Sequence, residues 1–356
     1  MRRRRRNHLG AKRGAAVAIL LVVAAGLLVA WQAARPGRAS DPTSNRVTEP
    51  VITRLRLVVP FETQHAGEIV AAQANLFEKA GLTVELKRRQ ASYDPVAAVV
   101  NGDEVFGVVD GATFLVARSR GAPIVAFSAG YLESPVVFFS LVGSGIRTPR
   151  DFVGKKVLRR ANTDTAMIYD ALLQIAGLSR SQMRETTSES VVDALVNRDI
   201  DVLPGHVAEY AYKLKEKGAE YNIVRPADYG IHVPGTVYFT TEKFAHDYPI
   251  TVQRFVNALL AGWRMTYADT ATSSALIASA MESSIPAERI RFELAMQRDF
   301  VLPVARRIGE FDERQWKQLH VILLITKMVD ERADVSNAVD YSFLREAYRR
   351  NASAGF

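Results

Sequence analysis

The 356-residue chain is 48% hydrophobic and 24% charged, enough apolar material for one large or two smaller cored domains and too much for a disordered chain. Its formal charge of +8 does not indicate nucleic-acid binding. Nine Lys/Arg (Arg2 to Arg6, Lys12, Arg13, Arg35 and Arg38) precede the first acid, Asp41, and leave 37 bases against 38 acids beyond it. There is no cysteine, which excludes disulfides, thiolate catalysis, cysteine-ligated zinc and a lipid anchor on cysteine.

The basic run leads into an uncharged segment, Gly14 to Trp31, which as a helix would span roughly 27 Å at about 1.5 Å per residue. Cationic residues before such a segment hold the N-terminus in the cytoplasm and send the rest of the chain outward, whether the segment stays as an anchor or is cleaved as a signal peptide. The body is therefore expected to be extracytoplasmic. Residues 1–34 are assigned to the basic tip and signal or anchor helix, and residues 35–50, rich in Pro, Ser and Thr, to a tether.

RLRLVV (Arg54 to Val59) alternates as a strand does. A loop follows, then a helix carrying Ile69, Val70, Ala74 and Phe77 at helical spacing and stopped by Gly81, then a second strand, LTVEL. Helix PVAAVVNG, strand VFGVVD, helix ATFLVARSRG and strand PIVAFSAG repeat the pattern. From Thr148 it restarts: strand GKKVLRR, helix AMIYDALLQIAG stopped by Gly177, helix VVDALVNRD, strand IDVLPG, a helix from about Val207, and strand YNIVRP. Beyond about Thr240 the chain reads as almost wholly helical. Strands alternating with helices at this pitch predict an α/β fold with mainly parallel sheets. The expected division is lobe 1 from residues 51–147 and 239–356, and lobe 2 from residues 148–238.

Ligands of open α/β sheets bind where strand ends lead into helix N-termini. Three loops fit: Phe61 to Gly67, Asp110 to Thr113, and Asn162 to Thr165. In the first, His65 can donate or accept at neutral pH and Gly67 would admit a ligand to the backbone, but on pattern alone a packing or capping histidine is the favoured reading. Asp110-Gly111 reads as a ligand carboxylate or as a common turn. Thr163, Asp164 and Thr165 present hydroxyls and amides to an anion, or simply cap a helix. Glu209 is placed to accept from a ligand amine or to be solvated. Phe61, Tyr131, Tyr229 and Tyr238 lie in predicted loops or at strand ends, where aromatics stack on flat heterocycles. The six histidines show no metal-ligand spacing, and no dinucleotide, Walker or nucleophile-elbow motif occurs. No enzyme chemistry, cofactor or metal is indicated.

Thr63 to Leu82 (TQHAGEIVAAQANLFEKAGL), Phe106 to Arg118, Ser134 to Leu141 (SPVVFFSL) and Asp151 to Val157 resemble the motifs of the NMT1/THI5-like, SsuA/ThiY-type substrate-binding proteins of the type II periplasmic-binding-protein superfamily. The likeness covers about residues 52–270. PADYGI, FTTEKF and AGWRMTYA resemble the pyrimidine-binding branch in particular. The resemblance implies two α/β lobes closing on a small molecule, in a monomer that hands its solute to an ABC permease.

In the ThiY-like branch the histidine of the T-x-H-A-G motif lines the pocket, a role that falls here to His65, with Gln64, Gly67 and Ser134 in the same motifs counted as ligand-binding candidates. Glu209 is the match to a pocket glutamate in the second lobe. The anion-holding helix N-terminus of the sulfonate-binding relatives falls at Asn162 to Thr165. Here it carries Asp164, which would repel a sulfonate, so a neutral or cationic heterocycle such as a thiamine-pyrimidine precursor is expected. A second outcome is a sensory module working through a membrane partner. The family also includes a thiamine-pyrimidine synthase that needs a lysine four residues before its histidine and a cysteine-rich motif. This chain has Phe61 at that position and no cysteine, which argues against synthase activity.

Overall fold

A computed structural model describes residues 54–161, 163–281, 285–330 and 336–353. The expected membrane or signal segment, the tether and Asn162 lie outside the described residues. Among the described residues no helix is long and apolar enough to cross a membrane.

Strand β1 (Arg54–Val59) leads through the short turn Thr63–His65 into α1 (Ala66–Gln73) and α2 (Leu76–Lys79), then β2 (Thr83–Arg88). The single helix expected over Ile69 to Phe77 is two, because Asn75 adopts a left-handed conformation (φ 55°) that asparagine tolerates better than most residues. Then come α3 (Pro95–Val100), β3 (Gly107–Asp110), α4 (Gly111–Ser119) and β4 (Ile124–Ala129). Next are β5 (Val136–Leu141), β6 (Lys156–Leu158), α5 (Asp164–Ile175), β7 (Arg184–Thr186), α6 (Val191–Val196), β8 (Leu203–His206), α7 (Val207–Glu216) and β9 (Tyr221–Val224). The chain ends with β10 (Thr236–Thr241) and helices α8 (Glu242–Asp247), α9 (Pro249–Ala268), α10 (Thr270–Met281), α11 (Ala287–Val301), α12 (Glu313–Ile325) and α13 (Ser342–Ser353).

Each lobe is built around its own strands. In the first, β1 and β2 are parallel, β1 lies beside β3, and β10 runs antiparallel between β3 and β4. In the second, β5 is antiparallel to both β8 and β9, β6 and β7 are parallel, and a bridge between Val157 and Val202 joins the two groups. The antiparallel members β5 and β10 are the two strands that arrive from the opposite lobe, so each enters its sheet from the other end.

This pairing moves the expected lobe boundaries. The boundary at 147/148 falls after β5, which already belongs with β8 and β9, and the one at 238/239 falls inside β10. The apolar run of β5 announces a strand, but not which lobe will bury it. The crossings are Gly130–Pro135 and Arg225–Gly235, and they bond to each other, Gly235 N donating to Tyr131 O (3.0 Å) and Ser134 N to Val233 O (2.9 Å), while Gly130 N donates to Thr236 O at the start of β10 (2.8 Å). Two adjacent connections of this kind form a hinge.

The late helices complete the first lobe. Phe255 of α9 stacks on Phe106 (centroids 4.2 Å apart) and on Phe77 (5.3 Å), joining α9, α2 and the start of β3 in one aromatic core. Helix α9 also lies hard against α1, where two glycines permit the approach. A Cβ on Gly67 would stand 2.3 Å from the Trp263 ring, and one on Gly262 would stand 2.2 Å from Gly67 O. Helix α11 reaches over to α7 of the second lobe, with Tyr212 edge-on to Phe292 (5.5 Å) and Lys215 Nζ 4.9 Å above the Phe292 ring.

Candidate functional site

A cavity of about 290 Å³ lies between the lobes. One wall is the turn after β1, Phe61 to Gln64, with Arg88 from the end of β2; another is the start of α7, with His206, Ala208, Glu209 and Lys213; a third is α11, with Arg289, Glu293 and Gln297. Tyr131 and Pro135 from the hinge also contribute. These walls follow from the fold: both strand ends, β1 and β8, deliver their following turn or helix to the cleft, as in other open α/β sheets.

The charged side chains of this cavity are mostly committed to one another. Glu209 holds Lys213 at 2.6 Å, and Glu293 holds Arg289 at 2.8 Å while accepting from Thr63 Oγ1 at 2.6 Å. Gln297 donates to Thr63 O (2.9 Å) and accepts from Tyr131 OH (2.8 Å). Arg88 lies over the Phe61 ring (4.7 Å) and donates to Met281 O. Pairing offsets these charges and leaves a near-neutral wall for a ligand to meet.

A narrower recess adjoins the cavity, sharing His206 and Pro135 with it and lined further by Asp110, Ser134 and Asp164. His206 Nδ1 is 3.1 Å from Gln64 Oε1 across the cleft, and Nε2 is 3.3 Å from Asp164 Oδ2 in its own lobe. Burial opposes protonation of His206, but the hydrogen bond and charge of Asp164, with Glu209 and Asp110 nearby, outweigh it and raise its pKa above the ordinary imidazole value. Burial likewise opposes ionisation of Asp164, yet His206 and the Thr165 amide hold its carboxyl below the usual range. Asp110 is pushed the other way, by burial first and then by the Asp164 charge, in spite of its bonds from Thr113.

The expected site residues divide into three groups. Phe61, Gln64, Tyr131 and Glu209 line the cavity, and Asp110, Ser134 and Asp164 line the recess. Thr163, Thr165 and Gly111 serve local structure. Thr163 Oγ1 accepts from Ala166 N at the start of α5, Thr165 Oγ1 is 2.8 Å from Thr163 Oγ1, and Gly111 N donates to Gly235 O. His65, Gly67 and Tyr238 stand behind the wall. His65 Nδ1 is 2.8 Å from Glu68 Oε1, both side chains are buried, and Tyr238 OH accepts from Trp263 Nε1 at 2.9 Å. Gly67 faces Trp263 and not an open approach for a ligand.

Sequence reasoning passed over His206, Glu62, Arg88, Lys213 and the α11 residues. One signal was available for the last group: Arg289, Glu293 and Gln297 recur every four residues, a polar stripe along one face of a helix that otherwise buries Ile290, Leu294 and Val301. His206 had a weaker one, its place just before a helix in the second lobe, as His65 stands just before one in the first. Among the described residues no group of three or more His, Asp or Glu could hold a metal ion.

Comparison with known proteins agrees with this architecture. No curated protein matches the chain in sequence. In structure it is similar to the periplasmic aliphatic sulphonate binding protein SsuA of Escherichia coli (TM-score 0.69, 17% identity, covering 81% of this chain and 92% of that one). It is similar also to the alkanesulfonate-binding protein SsuA of Xanthomonas axonopodis pv. citri bound to MOPS (TM-score 0.64, 15% identity, 82% and 100% covered). The desulfurization enzyme DSZB shares the fold as well (TM-score 0.61, 14% identity, 84% and 100% covered). Residues 62–272 match the model of the family described as NMT1/THI5 like, a span that contains the hinge, both crossing strands and the cleft-facing start of α7, and the chain belongs to that family.

Proposed function

We propose that this protein is the extracytoplasmic solute-binding component of an ABC importer, and that it captures a small neutral or cationic heterocycle, of the thiamine-pyrimidine kind, in the cavity between its lobes. The observation that carries the ligand class is the N-terminus of α5. Thr163 Oγ1 takes the Ala166 amide and Asp164 Oδ1 takes the Thr165 amide at 2.7 Å. A helix N-terminus ordinarily attracts anions. Here two of its amides are met by its own side chains, and a carboxylate held in its ionised form stands beside them.

The structural relatives named for sulfonates therefore support solute capture for this chain, while Asp164 argues against a sulfonate as its solute. A cavity of about 290 Å³ is at the small end of ligand pockets, and the Phe61 and Tyr131 rings beside Glu62 and Glu209 suit a flat ring bearing an amino group. The fold does not by itself distinguish binding from catalysis, since the desulfurization enzyme shares it. Binding is the reading supported by the family match and by the sulfonate-binding proteins among the structural relatives. Delivery to a permease requires only that ligand stabilise the closed lobes more than the open ones.

The test is isothermal calorimetry with an aminopyrimidine and an alkanesulfonate, with Asp164→Asn measured in parallel. The reading predicts heat with the aminopyrimidine and none with the sulfonate, and an Asp164→Asn protein more tolerant of the anion. Sulfonate binding to the native chain would overturn the ligand class.

A further inference from the structure

We propose that His206 is a proton-operated latch, an imidazolium that holds the two lobes together by donating to Gln64 across the cleft while Asp164 anchors it in its own lobe. This rests on the reading of the cavity as a solute site and adds a regulatory property to it.

The acceptors along one chain of bonds fix the protonation state of the ring. Glu62 Oε2 lies 2.7 Å from Gln64 Nε2, and a carboxylate only accepts, so the Gln64 amide must turn its nitrogen to Glu62 and its oxygen to His206. That oxygen, 3.1 Å from His206 Nδ1, can only accept, so Nδ1 carries a proton. Asp164 Oδ2, 3.3 Å from Nε2, requires a proton on Nε2 as well. Only the imidazolium satisfies both partners.

Loss of one proton must break one of the two bonds. In the neutral ring a bond to the Asp164 carboxylate stays charge-assisted, whereas one to the Gln64 amide joins two neutral groups, so the cross-lobe bond is the one surrendered. Nor can Gln64 rescue it by rotating its amide, since that would set its oxygen against the Glu62 carboxylate. The neutral ring would then present a lone pair to the Gln64 oxygen, and the contact becomes repulsive.

The charged groups facing His206 come from several elements and favour the protonated ring: Asp164 on α5, Glu209 on α7 and Asp110 before α4. Of the cations of the same cavity, Lys213 is paired with Glu209 and Arg289 with Glu293, while Arg88 donates to Met281 O. A folded-state value raised above about 6.5 means that the latch is engaged below that value and lost as pH rises through it. The seam between α7 and α11, with Tyr212 against Phe292 and Lys215 3.6 Å from Glu288, also spans the cleft and sets a baseline of closure on which the latch acts.

The experiment uses the absence of native cysteine. Lys79→Cys on α2 and Gln174→Cys on α5, both exposed, take two spin labels, one per lobe, in the full ligand-free chain. Pulsed electron-spin distance measurements then give the closed-to-open ratio against pH. The latch predicts a fall of about twofold to tenfold between pH 6 and pH 9, the range expected for one net hydrogen bond. Glu62→Gln should flatten the response, because a glutamine at that position can donate as well as accept and lets Gln64 turn. His206→Gln should flatten it too.

A ratio independent of pH in the parent chain, or an undiminished slope in folded Glu62→Gln and His206→Gln proteins, overturns the latch. Nitrogen chemical shifts of the unsubstituted chain at pH 6 need no variant: both His206 ring nitrogens protonated supports it, and a neutral tautomer overturns it. Since none of these readouts uses a ligand, they fail independently of the solute-binding reading, which fails instead if no solute is found.

Discussion

The two histidines that immediately precede helices α1 and α7, in opposite lobes, occupy very different surroundings. His65 is buried, its Nδ1 is bound to Glu68, and the helix behind it is pressed against Trp263 through Gly67. His206 is partly exposed and joins one lobe to the other through Gln64 and Asp164. A shared position in an α/β unit therefore does not give a shared role. The first histidine is held by the packing of α1 on α9, whereas the second stands where the lobes meet and can respond to a molecule entering the cleft.

The largest effect expected from this contrast is on stability. His65→Ala would leave the fully buried Glu68 side chain without its imidazole hydrogen bond and open a cavity where the ring stood, a loss of about 3 kcal/mol. Urea unfolding should show it, and a loss below that of His206→Ala would dissolve the distinction. Next is Gly262→Ala, whose added methyl meets Gly67 O and Ala71. Overpacking there should cost about 1–3 kcal/mol, visible as a lowered Tm; an unchanged Tm would mean that α1 and α9 are free to separate.

The pH dependence of stability sharpens the comparison further. The Asp164 carboxyl is depressed, so its contribution is present above an unfolded value of about 3.9 and is lost as pH falls through the folded one. The His206 value is raised, so its contribution is complete below about 6.5 and is lost as pH rises through the folded value. Their joint contribution is therefore greatest between these limits, and Asp164→Asn should flatten the stability profile on both sides. The smallest effect is at the outer seam: Phe292→Ala removes an aromatic pair of about 0.5–1.5 kcal/mol and should enlarge the scattering radius of the ligand-free protein, with little effect on its unfolding midpoint.

Much of this molecule was legible in residue order. Alternation disclosed β1 and β2, and Gly81 and Gly177, each at positive φ, stop the segments they were expected to stop. The lobe boundaries were less legible, because VVFFSL in β5 is buried almost throughout and an apolar run says that a strand is covered without saying by which sheet. At the site, Phe61 and Glu209 were accessible to reasoning from strand ends and helix starts, and Gln64 through the family motif. His206 was not singled out, since its meaning depends on Gln64, 142 positions earlier in the chain, and on a hinge that brings the two together. The same holds for Glu293 and Gln297, which become cleft residues only when α11 folds back over the turn at Thr63.

Native mass spectrometry of the protein purified gently from its own host tests the central claim most directly. Solute capture predicts a bound small molecule, neutral or cationic, that is retained by the folded chain and released on denaturation. A strongly acidic molecule in the cleft would contradict the ligand class, and a ligand-free chain that no small molecule stabilises would contradict solute capture itself.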